Sequence, residues 1–197
     1  MAINQKNPML KKQLRKLYTA KRAELSATDR MKWDDLILIN FQTIDLPFLD
    51  YVLSFYPMEE KNEVNTFILT EYLRFKNLSL QVCYPKTNFA EHSMQSIACG
   101  ADAAFEGNEF NILEPVEGDL VEASTIDLVI VPLLICDEQG HRVGFGKGFY
   151  DRYLKECRED CIKVGVSYFE PVDKIDDANE FDVPLDFCIT PGKAYVF

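Results

Sequence analysis

The chain has 197 residues, 47% of them hydrophobic and 27% charged, which gives one domain a sizeable core and excludes long disorder. Its net charge of -11 is uneven: residues 1–32 carry nine Lys and Arg against Glu24 and Asp29, a surplus of +7 that leaves -18 on the rest, so the body of the protein repels nucleic acid. Apolar runs such as Leu128–Cys136 are far too short to span a bilayer, and Met1–Lys12 lacks the apolar core of a signal peptide, so a cytoplasmic protein with no membrane partner is expected.

Along the chain, Asn7-Pro8 reads as a cap followed by a first helical turn. Leu10, Leu14, Leu17 and Tyr18 then recur at helical spacing to about Leu25, with Leu10, Leu14 and Leu17 facing the core. A second helix starts at a Ser26 or Thr28 cap and carries Trp33, Leu36, Ile37 and Asn40. Tyr51–Tyr56 is a short β-rich run ended by Pro57. Val64–Phe75 has helical periodicity. Leu78–Tyr84 reads as a strand stopping at Pro85, and Met94–Cys99 as a weaker one. Residues 100–124 are loop-rich and acidic. Asp127–Cys136 is nearly all apolar, as in a strand buried on both faces. A glycine-rich loop and a helix over Phe149–Arg158 follow. Ile162–Ser167, Phe187–Thr190 and Ala194–Phe197 close the chain as strands. Strands alternating with helices make a single layered α/β domain over residues 1–197. Six cysteines without a Cys-x-x-Cys pair, and only two His, form no zinc pattern. Reduced, mostly buried thiols are expected.

The segment Val131–Leu154 runs strand, turn, glycine loop, helix. Gly144, Gly146 and Gly148 alternate around Lys147, and Arg142 precedes them. Glycines let backbone amides approach a phosphate and form an anion-binding concavity. The helix that follows adds free N–H groups and the positive end of a dipole. The pattern suits a polyphosphate, although it is neither a P-loop nor a dinucleotide fingerprint. On the residues alone, a glycine-rich turn with exposed basic side chains stays open. Asp137-Glu138-Gln139-Gly140 is most simply a turn.

The run Gly140-x-Arg142-x-Gly144-x-Gly146-Lys147-Gly148-Phe149-Tyr150-Asp151-Arg152-x-Leu154 closely resembles the signature of the 5-formyltetrahydrofolate cyclo-ligase family, also called methenyltetrahydrofolate synthetases. Asp127–Pro132, Lys11-x-x-Leu14-Arg15, the segment with Tyr56, Met58 and Glu63, Phe110–Pro115 and Asp182–Asp186 resemble further family segments in the right order. The resemblance covers essentially the whole chain.

It implies a three-layer α/β/α domain with a mixed, mostly parallel sheet. It also implies ATP- and magnesium-dependent cyclisation of 5-formyltetrahydrofolate to 5,10-methenyltetrahydrofolate by phosphorylation of the formyl oxygen. ATP would be cradled by Arg142, Gly144, Phe145, Gly146, Lys147, Gly148, Phe149 and Tyr150. Lys11 and Arg15 would reach its phosphates from one helix face, leaving Lys12, Lys16, Lys21 and Arg22 solvated. Lys147, Arg142 and Tyr150 would be catalytic. Met58, Glu63, Phe110, Phe145 and Phe149 would bind the folate, with Glu63 on the donor edge of the pterin. Asp151 and Asp182 would bind magnesium, Asp186 being the alternative to Asp182. Phe110 stands where the family often has a larger aromatic, Phe145 where it has Tyr or Arg, and Phe149 where Tyr is usual. The partner is the small-molecule folate, polyglutamylated or not, with no nucleic acid, and the chain is a monomer or weak homodimer. The competing readings are a catalytically altered paralogue that binds nucleotide and folate, another small-molecule phosphotransferase, and a nucleic-acid binder using the basic N-terminus.

Overall fold

The computed structural model describes residues 8–100 and 102–197. The expected cap Asn7, and most of the Met1–Lys12 stretch read for a leader, lie outside the described residues. Helix α1 spans Lys11–Ala23, and Leu10 before it offers no side-chain cap. The cap comes from far along the chain: the Lys11 N–H donates to Asp177 Oδ1 at 2.8 Å and the Met9 N–H to Asp176 Oδ2 at 2.7 Å. The helix therefore starts at Lys11, where a partner for its first free N–H exists, while the Met9 bond fastens the segment leading into it.

The face α1 buries also differs from the expected one. Leu14, Tyr18 and Arg22 are buried while Leu17 is 48% exposed. The stripe runs at intervals of four, and the other long cations, Lys12, Lys16 and Lys21, stay in water. Helix α2, Ala27–Phe41, opens on Ser26, whose hydroxyl accepts the Asp29 N–H at 3.1 Å. Helix α3 covers Phe67–Lys76 and α4 covers Phe149–Glu156.

The strands are β1 (Tyr51–Leu53), β2 (Gln81–Asn88), β3 (Ser93–Ala98), β4 (Phe105–Gly107), β5 (Leu113–Pro115), β6 (Asp119–Val121), β7 (Leu128–Pro132), β8 (Ile135–Cys136), β9 (Arg142–Val143), β10 (Ile162–Val166), β11 (Phe187–Ile189) and β12 (Ala194–Val196). Eight of them form one sheet in the order β12-β11-β10-β7-β1-β2-β3-β6. The five from β11 to β2 are parallel, and the antiparallel pairs lie toward the edges. The loop-rich stretch 100–124 contains three short strands. The long apolar run divides after Pro132 into β7 and β8, the latter pairing with β9 as a hairpin. Strand β2 continues through Pro85, because beyond Cys83 it pairs, among the described residues, with β3 alone and a residue without an N–H is tolerated there.

Alternation along the central strands builds the two outer layers. Val52, Val82, Leu128, Ile130 and Val164 face Ile37 and Phe41 of α2 and Leu69 and Leu73 of α3. Leu53, Cys83, Val129 and Val131 face Tyr153 and Leu154 of α4. Each such fully buried side chain contributes about 1.5–3 kcal/mol. Leu14 and Tyr18 seal α1 onto the β8–β9 hairpin through Ile135 and Val143. Five of the six thiols are buried, Cys157 partly so. Among the described residues no helix is long and apolar enough to cross a membrane.

Candidate active site

A cleft of about 540 Å³ opens beyond the carboxyl ends of β1, β2 and β7, where α/β sheets usually bind ligands. Every site residue expected from the sequence lines it: Lys11, Arg15, Met58, Glu63, Phe110, Arg142, Gly144–Asp151 and Asp182. Five Lys and Arg (the fifth is Lys61) face three carboxylates there. The cleft is thus locally positive in an acidic protein, which favours an anionic ligand.

One half is the glycine loop. Gly146 and Gly148 have φ of 83° and 71°, a left-handed conformation that side chains rarely adopt. The turn at Gly148 starts α4. Arg15 Nε donates to Gly144 O at 2.7 Å, and the Arg15 guanidinium lies against Gly146. Arg142 leaves β9 and is buried, with its Nη2 2.7 Å from Asp151 Oδ1 and its Nη1 donating to Val183 O. Burial lowers its pKa from the ordinary guanidinium value and the Asp151 carboxylate opposes this. Lys11 Nζ donates to both oxygens of Asp182, at 2.6 and 2.5 Å. Burial pushes the Asp182 carboxyl up, but Lys11 and the Asn179 N–H outweigh it and hold it below the usual carboxylate range. Asp186, the alternative to Asp182, pairs with Lys163 at 2.9 Å and does not line the cleft.

The other half is apolar around one acid. Phe110, Phe89 and Phe149 form an aromatic cluster, Phe89 lying 4.4 Å from Phe110 and 5.3 Å from Phe149 between ring centroids. Met58, Met94, Ile112 and Leu113 continue the wall. Glu63 precedes α3 by four residues and so is not a helix-terminal carboxylate. It is 7% exposed, and its Oε2 accepts the Met58 N–H at 3.0 Å. The tip of the glycine loop reaches across: Lys61 lies over the Phe145 ring at 4.5 Å and Lys147 over Phe110 at 5.9 Å.

The two halves meet at Tyr150. Its ring is part-exposed but its hydroxyl is buried, and among the described residues that hydroxyl has no hydrogen-bond partner. Burial pushes its pKa up strongly, the Glu63 carboxylate adds to this and Arg142 opposes it. A buried hydroxyl without a partner costs roughly 1–3 kcal/mol, so this position suits a ligand atom.

A sequence profile of the 5-formyltetrahydrofolate cyclo-ligase family matches residues 9–191. The chain belongs to this family. A 5-formyltetrahydrofolate cyclo-ligase of Mycoplasma genitalium is 31% identical over 183 residues, 90% of this chain and 97% of that one. One from Mycoplasma pneumoniae is 31% identical over 92% and 98% of the two chains. The solved 5,10-methenyltetrahydrofolate synthetase of Aquifex aeolicus superposes with a TM-score of 0.78 at 30% identity, covering 95% of this chain and 93% of that one. The mixed, mostly parallel sheet with its helices is the fold of these cyclo-ligases, and the chain is a ligase of that family.

Sequence reasoning missed several residues at or near the site, Lys61, Met94 and Phe89 in its wall and Arg22 beside Glu63 among them. Phe89 lies in the β2–β3 turn with nothing around it in the sequence to mark it. Arg22, expected in solvent, is 6% exposed and lies 3.7 Å from Glu63 Oε1. The signal for it was present, because Leu14, Tyr18 and Arg22 repeat every four residues along one face of α1.

Proposed function

We propose that the cleft binds ATP at the glycine loop and 5-formyltetrahydrofolate among the aromatic residues, and cyclises the folate to 5,10-methenyltetrahydrofolate with release of ADP and phosphate. The carrying observation is that a basic, glycine-lined half and an acid-bearing aromatic half open into one cleft and adjoin at Tyr150.

In the reaction the formyl oxygen attacks the terminal phosphorus of ATP and the bond to the bridging oxygen breaks, leaving ADP. Nitrogen 10 of the folate then attacks the activated carbon and loses its proton, and phosphate departs with the electron pair of the carbon–oxygen bond. Little covalent work falls to the protein, so its contribution is positioning and charge stabilisation. Lys11, Arg15, Arg142 and the loop amides hold the phosphates. Lys147 turns its ammonium from Phe110 to the terminal phosphate. Glu63 accepts from the donor edge of the pterin, and Phe110, Phe149, Phe145 and Met58 enclose its rings. The Tyr150 hydroxyl gains its missing partner at the junction where the reacting groups meet.

The residues fit a magnesium ion carried largely by phosphates and waters. Among the described residues no three metal-binding side chains cluster to form a cage. Asp151 Oδ1 accepts Arg142 and the Val183 N–H, while its Oδ2 accepts no hydrogen bond among the described residues. Asp182 would be the second carboxylate to hold the ion, with Lys11, its present partner, given to a phosphate. When bound, magnesium neutralises charge on the β- and γ-phosphates.

The test is to mix the pure protein with ATP, magnesium and 5-formyltetrahydrofolate and follow methenyltetrahydrofolate absorbance. Product should form only with all three present. ATP hydrolysis at an equal rate without folate, and with no methenyl product, refutes the proposal.

A further inference from the structure

Glu63 is an acid in a place that disfavours its charge. It is 7% exposed, and burial raises its pKa, while the Met58 N–H, Arg22 and Lys61 oppose the rise and Glu60 adds to it. The Tyr150 hydroxyl on α4 is near enough for the Glu63 charge to act on it. Lys61 is exposed and lies over Phe145. Arg22, from α1, is the buried cation of this set, with its Nη2 3.7 Å from Glu63 Oε1. It does not line the cleft, so it can act on a bound ligand only through another residue.

A second link ties the same two segments. Asn62 takes a left-handed conformation with φ of 50°, and its Nδ2 donates to Arg22 O at 2.9 Å. Behind them, Tyr168 donates to Asp34 Oδ1 at 2.8 Å and to Glu63 O at 3.3 Å, and Asp34 Oδ1 also accepts the Asn65 N–H. The loop from Met58 to Asn65 is thus fastened from α1, α2 and the segment after β10. An ionised carboxylate at its centre retains its charge in a buried site when a paired cation and hydrogen bonds hold it.

We infer that Arg22 is the positioning residue for Glu63, holding its carboxylate charged and aimed into the cleft to receive the folate. The inference rests on the reading of Glu63 as a folate contact. It makes α1 a single strut, with Lys11 and Arg15 at the phosphate end and Arg22 at the folate end.

The test compares Arg22→Gln, Arg22→Lys and Glu63→Gln as whole enzymes, measuring KM for folate and for ATP and the pH dependence of kcat/KM for folate. Folate binding needs ionised Glu63, so kcat/KM falls on the acid side as Glu63 protonates. Without the opposing cation Glu63 protonates at a higher pH. In Arg22→Gln the acid limb should therefore move up by about one pH unit, with KM for folate raised roughly ten-fold and KM for ATP within about two-fold. Arg22→Lys should return the limb toward its original position. A folded Arg22→Gln enzyme with an unmoved limb and unchanged folate KM overturns the inference, as does a lower melting temperature alone. If Glu63→Gln leaves folate KM unchanged, the reading of Glu63 itself fails, whatever Arg22 does. Should Arg22→Gln not fold, Arg22→Met decides, since it keeps the apolar stem of the side chain but loses the cation beside Glu63. A folate KM raised by about three-fold or more at constant ATP KM supports the inference, and no change overturns it.

Discussion

Arg15 lies across Gly146: a Cβ added at Gly146 would stand 2.7 Å from Arg15 Nη2. The same backbone has φ of 83°, where a side chain costs about 1–2 kcal/mol. Gly146→Ala should displace Arg15 from Gly144 O and distort the glycine loop proposed to hold ATP, while leaving the core on both faces of the sheet untouched. Calorimetric titration should find ATP binding weakened roughly ten-fold or more, the equivalent of about 1.4 kcal/mol, with folate binding nearly unchanged. Equal losses for the two ligands would remove Gly146 from the nucleotide half.

Lys147 tests the chemical step. Its ammonium is exposed over Phe110, and its carbonyl accepts Arg152 Nη2 at 2.9 Å. A cation brought to a breaking phosphate bond acts mainly in the transition state. Lys147→Ala should lower kcat about 100-fold or more, as loss of one preorganised donor does. Melting should be unaffected, since no core contact is lost. Lys147→Arg should rescue poorly, because a planar fork does not replace a compact charge in a tight loop. Near-normal kcat in Lys147→Ala at saturating ATP would make it an ordinary loop lysine.

Asp127 predicts a change in stability with no change in substrate handling. Its Oδ2 accepts the Asp50 and Tyr51 N–H groups at 2.6 and 2.7 Å, tying the start of β1 to the start of β7, and its Oδ1 meets Arg158 at 2.6 Å. Burial raises its pKa, but these donors outweigh it and the pKa falls below the usual carboxylate value. A depressed carboxyl stabilises the fold above its unfolded pKa of about 3.9, and this is lost as pH falls through the folded value. Asp127→Asn should cost about 1–2 kcal/mol at pH 7, after allowance for partial exposure. The gap in melting temperature between variant and wild type should close below about pH 4. A gap of equal size at acid pH would show that charge is not its source.

The part of the site legible in the sequence is the part built from neighbours. Arg142 to Asp151 is one local run, and a loop that bends through glycines has to announce them. Lys11 and Arg15 were readable because four residues make one helical turn. The misses are relationships between distant residues. Arg22 looks like any surface cation until Glu63, 41 positions later, is folded onto it. Pro85 looks like the end of a strand until β1 is seen to stop pairing at Cys83. Leu17 looks like core until α1 is docked by Leu14 and Tyr18. The layered class followed from alternating elements, but the sheet order, with β7 between β1 and β10, depends on packing that no local pattern records.

The fastening of α1 at Asp176 and Asp177 has a consequence for the order in which this enzyme comes into being. A helix of 13 residues is marginal alone in water, and this one has neither its own cap nor an acidic residue in its first turn. The group that closes it, Asp177, emerges from the ribosome 166 residues later. Lys11 and Arg15, though translated earlier, therefore lack the bonds that fasten their helix until residues 176 and 177 have been made. Amide exchange should register this: α1 amides should open more readily in Asp176→Asn/Asp177→Asn, while those of β7 keep their protection.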